Sequence, residues 1–79
     1  MKKYTLTTNF KVNAFGVKLF QIKAEIDIVK YGVMAGDLGG YVESEKNLNQ
    51  AGDAWVYGDA RVYGNAWVYG DAWVYGDAW

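Results

Sequence analysis

Apolar and polar residues alternate along most of this chain, and the alternation changes character near residue 40. Between Tyr4 and Val12, the residues Tyr4, Leu6, Phe10 and Val12 fall on one face of an extended chain. Between Val17 and Val29, Phe20, Ile22, Ala24, Ile26 and Ile28 share one face, and Gln21, Lys23, Glu25 and Asp27 share the other. A period of two carried by β-branched residues predicts strands, because successive side chains of a strand point to opposite sides. Asn13-Ala14-Phe15-Gly16 predicts the connection of a hairpin between them. The glycine-rich run KYGVMAGDLGG, residues 30–40, predicts a segment that redirects the chain.

From Gly52 the period of two sits inside a period of six. GDAWVYGDARVYGNAWVYGDAWVYGDAW is one phrase written four times, followed by the start of a fifth. Even positions carry Ala54, Val56, Ala60, Val62, Ala66, Val68, Ala72 and Val74, with the glycines; odd positions carry Asp or Asn, Trp or Arg, and Tyr. One face is small and apolar, the other bulky, aromatic or charged. Glycine at every sixth position, followed by Asp or Asn, predicts a corner. Short strands joined by regular corners wind into a solenoid in which each turn covers the last. Only the small residues fit its narrow interior, so Trp55, Trp67, Trp73 and Trp79 are expected to face outwards. The same parity runs upstream through Val42, Ser44, Leu48 and Gln50, which puts the start of the winding near Gly40. The chain is therefore expected to be one all-β domain over residues 1–79. A β-hairpin-like cap spans residues 1–35, imperfect first rungs span 36–51, and hexapeptide repeats of a short parallel β-solenoid span 52–79.

An aliphatic residue, a small residue and a glycine recurring at this interval resemble the hexapeptide-repeat proteins, which fold as left-handed parallel β-helices. The segment GDLGGYVESEKNLNQAGDAWVYGDA, residues 36–60, is similar to the start of the YdcK-like branch of that group. A short β-rich region precedes the Gly-Gly-aromatic-Val stretch there too. The resemblance implies a triangular coil of about eighteen residues. On that spacing Asp53 falls under Asp71, Trp55 under Trp73, Tyr57 under Tyr75, Asp59 under Asp77 and Arg61 under Trp79. In this group Gly or Asp often follows the aliphatic position directly, whereas here Tyr intervenes, so handedness rests on the resemblance and not on the spacing. Acyl transfer is the commonest activity of the fold, and one reading makes this chain a remnant or part of an acyltransferase-like protein of unknown substrate.

Composition narrows the chemistry. The 79 residues include no cysteine and no histidine. That removes disulfides, thiolate metal sites, the histidine general base that hexapeptide acyltransferases use, and the histidine-held zinc of their carbonic-anhydrase-like relatives. Residues 1–51 carry seven Lys against five acids, and residues 52–79 carry one Arg against four Asp. The charges interleaved with the aromatics are therefore of the wrong sign for nucleic acid. No run of about twenty apolar residues exists to span a membrane. MKKYTLTTNF has no apolar stretch behind its lysines, so no secretion signal is read and a cytoplasmic protein is expected. The corner carboxylates Asp53, Asp59, Asp71 and Asp77 read as turn residues. Stacked in pairs they could share calcium, but the Gly-Gly-x-Gly-x-Asp spacing of calcium-binding rolls is absent. No catalytic residue, metal or cofactor is expected.

The function expected is a non-enzymatic structural or self-assembling module. The repeat reaches Trp79 without a polar capping repeat, and an uncapped edge invites another strand. A homo-oligomer is expected, formed through the open solenoid end or the aromatic faces. The alternative is a binding module presenting Trp55, Trp67, Trp73 and Trp79 to a carbohydrate or a protein, since contiguous aromatic surface marks contact sites. Replacing Val68 by Asp should abolish folding, because the charge enters an apolar interior with no partner; a native circular dichroism spectrum from the variant would contradict the inward assignment.

Overall fold

Asn13 closes the expected hairpin. Its side-chain Oδ1 accepts from the backbone N–H groups of Phe15 and Val17 at 2.8 and 3.0 Å, and Gly16 takes up φ +81°. The computed structural model describes residues 2–58 and 60–75. Strand β1 (Tyr4–Val12) pairs antiparallel with β2 (Lys18–Ala24), and β2 pairs antiparallel with β3 (Leu38–Val42). Three two-residue strands follow: β4 (Trp55–Val56), β5 (Arg61–Val62) and β6 (Trp73–Val74). The architecture is all-β, with two single-turn 3-10 segments at Val29–Tyr31 and Glu45–Asn47 and no α-helix among the described residues. The strands form two small sheets, ordered β1-β2-β3-β5 and β4-β6.

Two details of the hairpin depart from the alternating pattern. The register of β1 against β2 shifts between Leu6 and Phe10. A bulge bends a strand and adds twist, and past it Phe10 and Val12 are exposed instead of lying on the core face. Phe10 packs against Phe20 at 5.9 Å between ring centroids, with the Lys18 ammonium over its ring. Strand β2 also stops at Ala24 and does not reach Val29. Its neighbour β1 begins at Tyr4, directly opposite Ala24, so the ladder on that side ends with Glu25 N–H donating to Lys3 C=O. The chain then turns back. Ile28 bridges Val33, Gly32 adopts φ +68°, and Ala24 exchanges backbone hydrogen bonds with Gly36 and Asp37.

From Tyr41 onwards the chain pairs with itself in parallel. Tyr41 and Val42 pair with Arg61 and Val62, Leu48 bridges Val68, and Trp55 and Val56 pair with Trp73 and Val74. The first two separations are twenty residues and the third is eighteen. The corner glycines Gly52, Gly58, Gly64 and Gly70 all have φ between +65° and +77°, a region that side chains with a Cβ rarely enter. The six-residue glycine interval is therefore a backbone requirement.

Val42, Leu48, Ala54, Val56, Ala60, Val62 and Val68 are buried together. Ala66 and Ala72 were expected inside but are exposed, and Val74 is half-buried. All three belong to the later stretch, residues 60–75, which has the earlier stretch on one side only among the described residues. Gly39 and Gly40 let β3 approach the core. A Cβ on Gly39 would lie 2.6 Å from the Val56 carbonyl and 2.8 Å from both Ile22 and the Trp55 ring. Gly39→Ala should therefore destabilise the fold by about 1–3 kcal/mol through overpacking, read as a lower urea midpoint; an unchanged midpoint would place Trp55 elsewhere.

Candidate binding surface

Lys3 and Tyr4 lie beneath the 41–60 stretch and satisfy its backbone. The buried Lys3 ammonium donates to the Ala54 carbonyl at 2.6 Å and to the Gly52 carbonyl at 3.4 Å. Burial pulls its pKa below the ordinary lysine value, and the Asp53 carboxylate opposes part of that shift. The Tyr4 hydroxyl donates to the carbonyls of Glu45 and Leu48, and burial, with Glu45 adding to it, raises its pKa well above that of a free tyrosine. The Gln50 side chain accepts from Lys3 N–H and Tyr4 N–H and donates to Tyr4 C=O. Asn47, also fully buried, donates to the Gly64 and Ala66 carbonyls and so ties the two stretches together.

The four tryptophans of the repeat share one sequence environment but not one structural environment. Trp55 and Trp73 are in register, as the eighteen-residue spacing requires. Trp55 is nevertheless wholly buried. Its indole meets Tyr4 edge-on at 6.5 Å and belongs to the cluster that holds Ile22, Ala24, Ile28 and Val33. The outward orientation expected of Trp55 is thus corrected: the hairpin and the 25–37 segment cover it, and it has no surface to offer a ligand. Trp73 is 45% exposed, but Tyr31 stacks on it at 5.0 Å, Tyr57 meets it edge-on at 6.0 Å and Tyr75 leans against it at 5.3 Å. The Tyr31 hydroxyl donates to the Asp71 carbonyl. Lys30 pairs with the Asp71 carboxylate at 3.1 Å, which raises the lysine pKa. This aromatic cluster fastens the 28–33 turn to the later stretch.

Trp67 is 57% exposed and stacks on Tyr69 at 4.5 Å. It lines a shallow cleft of about 490 Å³ together with Glu45, Lys46, Leu48, Asn49 and Gln50. Trp79 lies outside the described residues, and with it the expected contact to Arg61; the expected Asp59–Asp77 pair lies outside them as well. Asp53 sits beside Gly70, to whose carbonyl its N–H donates at 3.1 Å. Among the described residues no group of three or more His, Cys, Asp or Glu side chains is placed to hold a metal ion, and no helix is long and apolar enough to cross a membrane.

No protein-family model matches this chain, and no curated protein matches it significantly. The surface is therefore read from its own geometry. Glu45, Lys46 and Asn49 were not among the residues singled out from the sequence. The available signal was the break in the six-residue spacing: Leu48 to Trp55 is seven steps, whereas the paired Val68 to Trp73 is five. The contrast between the tryptophans gives a direct check. Trp55→Ala should cost about 3–5 kcal/mol, while Trp67→Ser should change stability by about 0.5 kcal/mol or less. Equal losses in chemical denaturation would show that the two rings share one environment.

Proposed function

We propose that the chain is a non-enzymatic structural module, a short hexapeptide β-solenoid capped at its N-terminal side, which self-associates through the edge of its later turn. On this reading residues 41–58 and 60–75 belong to successive turns, and the three parallel pairings are its three sides. The separations of eighteen and twenty residues support it, as do the left-handed glycines at six-residue intervals. The resemblance to hexapeptide-repeat proteins implies a left-handed coil.

The observation that carries the assembly reading is the difference between the two edges. On the N-terminal side, β2, Lys3 and Tyr4 occupy backbone groups of the earlier turn. On the other side, the carbonyls of Ala60, Val62, Val68, Gly70, Ala72 and Val74 all turn back to accept from the earlier turn. Backbone groups of a strand alternate in direction, so the peptide groups of Trp73, between the accepting carbonyls of Ala72 and Val74, turn the other way. That edge is a template for a further strand. Because the N-terminal edge is occupied, the two edges are not complementary. The favoured partner is the same edge of a second copy related by a two-fold axis, which closes after two subunits and does not grow into a fibre. The chain contains no histidine to serve as the general base of the acyltransferase reading.

Light scattering over a concentration series tests the reading. The expected mass is twice 8.9 kDa, falling towards the monomer value on dilution. A monomer at every concentration would refute edge pairing, and a mass that grows without limit would refute two-fold closure.

A further inference from the structure

The break in the repeat spacing has a chemical consequence at Trp67. Between Leu48 and Trp55 the earlier stretch uses two residues more than the later stretch uses between Val68 and Trp73. This longer corner contains Asn49 and Gln50, and both line the cleft beside Trp67. The Gln50 amide is already engaged with Lys3 and Tyr4. The Asn49 carbonyl oxygen accepts from Ala51 N–H at 3.0 Å, which turns its amide NH2 to other partners. Glu45 and Lys46 come from the single-turn 3-10 segment Glu45–Asn47 and complete the rim. Lys2 holds one Glu45 oxygen at 2.7 Å and leaves the second as an acceptor.

The cleft thus combines an indole, a carboxylate, an ammonium and an amide. Tyr69 stacks on the indole at 4.5 Å, and the indole lines the cleft. Glu45 and Lys46 bring opposite charges, so the rim does not select an anion or a cation. The remaining chemistry suits a neutral ring with an apolar C–H face to lie on an aromatic plane and hydroxyls at its edge to exchange hydrogen bonds. The Trp73 cluster lacks this arrangement, because Tyr31, Tyr57 and Tyr75 already surround its indole.

We propose that the cleft formed by Trp67, Asn49, Lys46 and Glu45 is a binding subsite for one pyranose ring of a neutral saccharide. It does not depend on the assembly reading, because every residue that lines the cleft belongs to one copy of the chain and saccharide binding needs no second copy.

The test uses the full chain, titrated separately with cellohexaose, maltohexaose and chitohexaose and followed by tryptophan fluorescence and calorimetry. At least one of the three should bind. Trp67→Ala should weaken that binding about tenfold or more, with an unchanged circular dichroism spectrum, and Asn49→Ala should weaken it severalfold. Trp73→Ala should leave it unchanged. No binding by any of the three at millimolar concentration would overturn the proposal, as would binding that survives Trp67→Ala. A proline-rich peptide that perturbs Trp67 when no saccharide does would also overturn it. The solution mass of Trp67→Ala, measured alongside, separates this result from that of edge pairing: loss of saccharide binding at unchanged mass concerns the cleft alone.

Discussion

A lysine ammonium buried against two backbone carbonyls holds the first stretch of the repeat in place. Lys3 reaches Gly52 and Ala54 while Tyr4 reaches Glu45 and Leu48. Those carbonyls lie at the start of the parallel pairing, where no preceding repeat donates N–H groups to them. A buried carbonyl without a donor costs about 1–3 kcal/mol, so several left open would erase much of the stability of a domain this small. The hairpin brings the donors. Its strand β2 pairs along β3, and Tyr4 at the start of β1, with Lys3 just before it, then falls beneath the corner at residues 48–54. Gln50 fixes that placement by bonding the backbone of both Lys3 and Tyr4.

Once that cap is seated, the fate of each tryptophan follows. Trp55 stands over the hairpin side of the molecule and is enclosed by the cap. Gly39 has no side chain because the Trp55 ring and the Val56 carbonyl occupy the space where one would go. Trp73 stands directly over Trp55 in register, but one stretch further from the cap. It is covered in part by Tyr31 from the 28–33 turn and by its own tyrosine neighbours. Trp67 lies on a side that the 25–37 segment does not reach, and it stays open. One repeated letter thus serves as a core residue, a clasp and a surface group. The difference is distance from the cap and choice of side.

The same logic separates scaffold from surface chemistry. The regular part of the repeat supplies turns, interior and edge, and its uniformity gives no single position a distinctive environment. Distinctive chemistry arises where the phrase is broken. The long corner at Asn49 and Gln50 provides both the side chain that anchors the cap and the ledge beside Trp67. The small mixed polar and aromatic cleft lies where that longer corner meets Trp67.

Much of the local structure was legible in the sequence. Alternation from Tyr4 to Val12 and from Val17 to Val29 predicted the two hairpin strands, and Asn13 and Gly16 their turn. Glycine at every sixth position determined the left-handed corners, since no other residue enters that region freely. The parity of Val42, Leu48, Val56, Val62 and Val68 determined which side chains go inside. Tertiary structure alone decided the rest. It ended β2 at Ala24, because the partner strand ran out, and it left Phe10 and Val12 outside past a bulge. It exposed Ala66 and Ala72 and buried Trp55. A period records which residues share a face. Whether another segment covers that face depends on contacts between residues some fifty positions apart, such as Lys3 with Ala54, and no local pattern encodes those.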